Sequence, residues 1–128
     1  MSPSLYQFGA LSTATCIAIN AYGAHTNLHK GHANILSFNR AAQYQMVHSL
    51  ALMYITTLPG PRNDLAAYLL AIGMVLFSGS IYLRVICAPE VSSNNEIGEN
   101  LFGLAAAVTP LGIVTLMGGW VLLAFSGP

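Results

Sequence analysis

Four apolar runs separated by three polar connectors set the pattern of the chain. The first run, Leu5 to Tyr22, carries no charge over 18 residues, just enough helix to cross a hydrocarbon core of about 30 Å. Ser12, Thr13, Thr15 and Asn20 interrupt it, while Ala10, Ala14 and Ala18 recur every fourth residue and predict a narrow ridge for close helix approach. This helix is expected to face its neighbours more than lipid. Asn20 is placed to meet a partner across a helix interface, although hydroxyls in such helices commonly return to their own backbone. The second run, Asn39 to Leu58, is polar in its first half and hydrocarbon in its second, and Pro59-Gly60-Pro61 ends it.

Asn63 or Asp64 is placed to cap the third helix, which runs from about Leu65 to Ile86. Near its middle Ser78, Gly79 and Ser80 bring three small residues together, and Gly73 shares a face with Ser80, so a neighbouring backbone is expected to come close there. The fourth run, Leu101 to Phe125, has no charge; Thr109-Pro110 is expected to kink it, and Gly112, Gly118 and Gly119 offer flat surface beyond. Trp120 reads as packed core or as an interface anchor.

The connectors supply what polarity there is. Gly23 to Phe38 holds His25, His29, His32 and Lys30, is too polar to span, and is expected to be a loop or a segment lying along the headgroup boundary. Ala88 to Asn100 carries Glu90, Glu96 and Glu99 with no Lys or Arg and reads as a solvated loop. Four spans put both termini on one side. Lys30, Arg40 and Arg84 flank the first and third connectors against Arg62 alone at the second, so the positive-inside rule places connectors one and three on the cytoplasmic or matrix side. The predicted fold class is an all-α membrane protein: a single domain over residues 1–128, with four transmembrane helices in a compact bundle and a polar interfacial connector between the first two.

Composition agrees with this pattern. The chain is 55% hydrophobic and only 6% charged, against roughly 25% charged residues in an ordinary soluble domain. Four basic residues balance four acidic ones, leaving no basic field for nucleic acid. Cys16 and Cys87 sit in or at the end of apolar runs and read as structural thiols. No Lys or Arg precedes Lys30, so the first span is expected to be retained rather than removed as a signal or presequence.

Candidate chemistry is sparse. His25, His29 and His32 fall at i, i+4 and i+7, which on a helix would align three imidazoles and could hold a metal, but no nearby carboxylate orients the rings, so no metal is assigned. His48 lies two turns into the second run beside Tyr44 and Gln45 and needs a partner. One reading makes it a packing residue bonded to Tyr44, Gln45, Ser78 or Ser80; the other makes it a haem ligand, a quinone contact or a proton-path residue. Two-histidine haem ligation would need a second histidine at matching depth, and the other three runs contain none. Packing is therefore the reading taken, with His48 and Gln45 facing Ser78-Gly79-Ser80. Arg40 and Arg84 are expected at headgroup depth, as snorkelling anchors or contacts for lipid phosphate, and Arg40 could also pair with Glu90, Glu96 or Glu99. No nucleophile–base pairing, phosphate loop or paired carboxylate stands within a helix, so no catalytic residue and no cofactor is assigned.

Several blocks in chain order carry a likeness. Gly23-Ala24-His25, Tyr44-Gln45-Met46 with His48, Phe77-Ser78-Gly79-Ser80-Ile81-Tyr82, and Thr109-Pro110-Leu111-Gly112 followed by Gly119-Trp120 together resemble the transmembrane-protein-256-like family, a domain of unknown function shared with small bacterial inner-membrane proteins. The resemblance implies a compact four-helix membrane protein, eukaryotic members associated with mitochondria, and no established catalytic activity. His29 and His32 lie outside those blocks, and the acidic connector is longer than the short link usual in the family. The function expected is a non-catalytic accessory subunit of a mitochondrial inner-membrane assembly, a respiratory-chain complex first, with lipids and other membrane subunits as partners. His25, Arg40 and Arg84 are the lipid or partner contacts, and Tyr44, Gln45, His48, Ser78, Gly79, Ser80, Pro110 and Gly112 the packing and polar network. The alternatives are a redox, quinone- or haem-contacting protein, or a small transporter or lipid-binding protein built on His48, and a bacterial rather than a mitochondrial membrane.

Overall fold

Helix runs well past the apolar stretches that the sequence marks out. The computed structural model describes residues 3–25, 32–92 and 96–126, and among these no strand occurs. Helix α1 spans Pro3–His25, α2 His32–Ile55, α3 Pro61–Met74, α4 Ser80–Ser92 and α5 Glu96–Ala124. A π-helical turn, Val75–Gly79, joins α3 to α4, so these three form one continuous rod and four rods make the bundle.

Among the described residues two helices are both long and apolar enough to cross a membrane, Pro61–Cys87 within the third rod and α5. At 23 and 24 residues α1 and α2 have the length, roughly 35 Å at 1.5 Å per residue, but carry more polar side chains. Helix ends depart from expectation around all three connectors. α2 begins at His32 rather than Asn39, because Ile35, Leu36 and Phe38 continue its pattern with no breaker; Phe38 is buried and packs on Tyr82 with ring centroids 5.3 Å apart. The polar connector expected over Gly23 to Phe38 is thus largely helical, α1 reaching His25, and residues 26–31 lie outside the described ones. The acidic connector is also mostly helix: α4 reaches Ser92, and α5 starts at Glu96 with Glu96 and Glu99 in its first turn, where carboxylates complement the positive helix end. The third helix starts at Pro61, whose missing N–H costs nothing there, and Gly60 takes φ 121° at the N-cap. Asn63 does not cap it; its amide reaches back to the Pro59 carbonyl at 2.8 Å.

The tightest packing lies between the third rod and α5. In lipid no hydrophobic force draws helices together, so close backbone approach and dispersion must do so. A Cβ on Gly73 would meet Leu116 at 2.8 Å, one on Gly119 would meet the Leu70 side chain at 2.8 Å, and one on Gly112 would lie 2.5 Å from the Phe77 backbone nitrogen. Leucine on one helix thus seats on glycine of the other in both directions, and the π turn is the backbone that Gly112 touches. Gly73 and Gly112 pack as expected. Gly79 and Gly118 do not: both are exposed, with no heavy atom nearer than 4.0 Å to an added Cβ. Pro110 is exposed as well, within an unbroken α5, and its neighbours Thr109 and Gly112 make the contacts instead.

On the other side α1 packs on α2 through Gly9, Ser12 and Cys16, with Leu5 in the core beside Leu52 and Ile55, and a Cβ on Gly9 would sit 3.0 Å from the Ser49 carbonyl. The Ala10, Ala14, Ala18 ridge is the wrong face: Ala14 and Ala18 are exposed and Ala10 half-buried. Most of α1 faces outward rather than inward. α2 touches α1, α3, the π turn and α4, and with Leu52 it supplies the centre of the apolar core, alongside Leu70, Met74 and Leu116.

Gly112→Ala is expected to destabilise the bundle by about 2–3 kcal/mol, because the added methyl meets backbone that no side-chain rotation can clear. Gly79→Ala, made in open space, is expected to be neutral or to stabilise by up to about 1 kcal/mol through helix propensity. Equilibrium unfolding of the two variants in the same micelles measures the difference.

Candidate functional site

Most buried polar side chains of α1 and α2 find partners inside the bundle. Gln45, only 8% exposed, joins three rods at once. Its Nε2 donates to the Ser12 carbonyl at 3.0 Å and lies 3.2 Å from Ser12 Oγ, and its Oε1 accepts from the Tyr82 hydroxyl at 2.8 Å. Ser49, fully buried, donates to Ser12 Oγ at 2.9 Å, and Met74 Sδ lies 3.2 Å from Ser49 Oγ and 3.6 Å from Ser12 Oγ. Cys16, also fully buried, donates its S–H to the Ala42 carbonyl at 3.2 Å. Asn20 returns to its own helix, donating to the Cys16 carbonyl at 2.9 Å, instead of crossing an interface.

His48 is 6% exposed, and both its ring nitrogens are engaged. Nδ1 lies 2.7 Å from the Tyr44 carbonyl, which can only accept, so Nδ1 carries the proton. Nε2 is then a lone pair, and it accepts from the Trp120 indole N–H at 3.1 Å. The rings support the bond: Tyr44 stacks on His48 at 9°, and His48 meets Trp120 edge-on with centroids 5.9 Å apart. His48 therefore faces Trp120 of α5, not Ser78-Gly79-Ser80. Those serines bond elsewhere, because each sits beside a nearer carbonyl: Ser78 donates to the Ala41 carbonyl at 2.9 Å, and Ser80 to Phe77 at 2.9 Å with Thr109 Oγ1 at 2.8 Å. Gln45 likewise reaches Ser12 and Tyr82. Tyr44 belongs to the network through its carbonyl and its ring, which also packs on Phe77 at 4.7 Å.

Arg40 and Arg84 line one recess of about 300 Å³ where α2, the π turn, α4 and α5 meet. Arg40 is exposed; no ion pair joins it to Glu96 or Glu99, and the Glu90 side chain lies outside the described residues. Arg84 is half-buried. It folds over Phe102, guanidinium carbon 5.0 Å from the ring centre, and its Nε is buried with no acceptor. Of the histidine trio, His29 and the side chains of His25 and His32 lie outside the described residues. Among the described residues no three His, Cys, Asp or Glu gather as a metal site.

Ser49 and Met74 are partners that the sequence pattern did not single out; Trp120 and Tyr82 stand out in it, but not as the partners of His48 and Gln45. A hydroxyl or indole in an apolar run marks a group that needs a bond, but periodicity alone does not say which helix supplies it.

His48→Ala and Trp120→Phe are each expected to cost about 1–2 kcal/mol, and the double variant less than the sum by about 0.6–1.5 kcal/mol, the coupling of one hydrogen bond in a membrane protein. A double-mutant cycle of unfolding free energies measures it.

Comparison with known proteins gives the same setting. Residues 19–119 match the family described as "Protein of unknown function (DUF423)". A UPF0382 membrane protein of Staphylococcus aureus (strain bovine RF122 / ET3-1) is 31% identical, the match covering 90% of this chain and 87% of that one. A UPF0382 membrane protein of Staphylococcus saprophyticus is 33% identical over 90% of this chain and 88% of the relative. The UPF0382 inner membrane protein YgdD of Escherichia coli (strain K12) is 30% identical over 91% and 82%. No solved structure matches the chain. These relatives are bacterial, so they support the bacterial side of the resemblance; the transmembrane-protein-256 label and its mitochondrial setting rest on the resemblance alone. With most of its length matched by one family model and by membrane proteins of similar size, the chain belongs to the DUF423 family of membrane proteins of unknown function.

Proposed function

We propose that the chain is a non-catalytic subunit of a bacterial-type inner membrane, crossing it with all four rods and lending its outer faces to a larger membrane assembly. One observation carries this reading. Apart from Arg84 Nε and Asn63 Oδ1, the buried polar side-chain atoms among the described residues bond to other groups of the bundle, while outward positions such as Ile17, Leu50, Tyr54, Val114, Met117 and Val121 are apolar. A site for chemistry needs groups left free to meet a substrate, whereas a packing subunit needs a fixed interior and an apolar exterior. The more polar α1 and α2 fit as spans because Gln45, Ser12, Ser49 and His48 are satisfied inside the bundle. The first and third connectors lie on the cytoplasmic side, following Arg40 and Arg84. A respiratory-chain host in mitochondria has no support from bacterial relatives, and the host is left as whichever membrane complex the chain copurifies with.

The alternatives have less to stand on. Haem iron at His48 would have to displace the Trp120 indole from Nε2. Transport through His48 with Ser78 and Ser80 would need a shared polar site, and these side chains bond to different neighbours.

The full chain, tagged and extracted from its own membranes in mild detergent, is expected to migrate on blue-native gels above its monomer mass with one defined polypeptide in constant ratio. Recovery only as a free monomer overturns the subunit reading.

A further inference from the structure

Three arginines serve the described bundle, and they are not equivalent. At one end Arg62 donates to the Phe125 carbonyl at 3.4 Å, near the C-terminal end of α5. Toward the other end Arg40 and Arg84 line the same recess, each eight residues from the nearest end of its rod, at His32 and Ser92, or about 12 Å along the axis at 1.5 Å per residue. Neither makes a hydrogen bond or ion pair with any described residue, and Arg84 Nε is buried without an acceptor. Two like charges beside one recess repel one another unless an anion joins them. The aromatic faces of Phe102 and Phe77 line the recess and offer apolar contact next to the charges, and Ser37 adds a hydroxyl.

We propose that Arg40 and Arg84 together hold the phosphate of an anionic phospholipid headgroup, with the glycerol and upper acyl chain lying against Phe77 and Phe102. A phosphate supplies what the site lacks: several acceptor oxygens, a geometry that guanidinium forks match, and negative charge between the two cations. Arg84 lines the recess, and its buried Nε has no acceptor among the described residues. A positively charged choline is rejected by the same two arginines, so the site selects anionic over zwitterionic lipid. The inference needs only the membrane setting and holds whether or not the chain is a subunit of anything.

Native mass spectrometry of the full chain in detergent tests it, with dioleoylphosphatidylglycerol, dioleoylphosphatidylcholine and inorganic phosphate titrated separately and in competition. The phosphatidylglycerol adduct is expected to survive at about tenfold lower lipid concentration than the phosphatidylcholine adduct, the scale of one charge-assisted contact. Arg40→Gln with Arg84→Gln is expected to abolish that preference, each single variant to weaken it about three- to tenfold, and Arg62→Gln to leave it intact. Millimolar inorganic phosphate should not displace the lipid. Equal retention of the two lipids, or a preference that survives the double variant, overturns the proposal and leaves the arginines as simple anchors. Displacement by inorganic phosphate at concentrations similar to the lipid overturns the lipid source in favour of a free anion. If the glutamine pair fails to fold, Arg40→Lys with Arg84→Lys decides: retained preference with affinity lowered about three- to tenfold supports forked recognition, and unchanged affinity overturns it.

Discussion

The contact of Gly112 with the Phe77 backbone is the constraint on which the rest of the bundle depends. A 2.5 Å gap to an imagined Cβ leaves one residue type that fits without a shift in backbone, and it fixes how far α5 slides along the third rod. Once that register is set, Leu116 falls on Gly73 and Gly119 on Leu70 without further adjustment. Dispersion grows steeply as surfaces close, so interlocking of this kind can hold two helices in lipid where burial of hydrocarbon contributes nothing. The polar bonds then follow from the register. Trp120 comes one residue after Gly119 and lies where its N–H reaches His48, and Thr109 comes three before Gly112 and lies beside Ser80.

Polar groups have a different task on the other side. α1 meets α2 closely at Gly9, but most of its surface faces outward, and its contact with the third rod is slight. Gln45 compensates by binding Ser12 on one side and Tyr82 on the other, so that a single amide links α1, α2 and α4. In hydrocarbon an amide without these partners would cost several kcal/mol, which makes the arrangement specific even where each bond contributes about 0.6–2 kcal/mol. Glycine sets distance in one half of the molecule and hydrogen bonds set identity in the other. α2 stands between them, as its mixed composition suggested.

What could be read from the sequence follows from this division. Gly73 and Gly112 were legible because glycine in an apolar run has few other uses. The alanine ridge of α1 misled because smallness permits close approach without requiring it; Ser12 and Cys16, roughly half a turn away, need partners and so turn inward. His48 was legible as a group that must be satisfied, yet its partner was not, since serine and indole answer equally well and only the register of α5 chooses between them. Helix ends were the least legible. Apolar runs mark where hydrocarbon is, whereas the helices continue beyond them, α1 past Gly23 and α4 past Pro89, and Glu96 and Glu99 favour the start of α5 even though they look like loop.

The same distinction between permission and requirement orders the charges. An arginine at a bundle end is permitted by water and headgroups and by itself implies nothing. Arg62 has a carbonyl of the protein within reach, so its position is explained by the fold. Arg84 is bent over an aromatic ring with a nitrogen shut away from water and from every described acceptor, and Arg40 opens into the same recess. A free snorkelling side chain would extend toward water and leave no buried donor unsatisfied. The fold therefore accounts for Arg62 through a hydrogen bond and for Arg84 in part through the Phe102 ring, while the charges of Arg40 and Arg84 beside one recess are what the proposed lipid phosphate would balance.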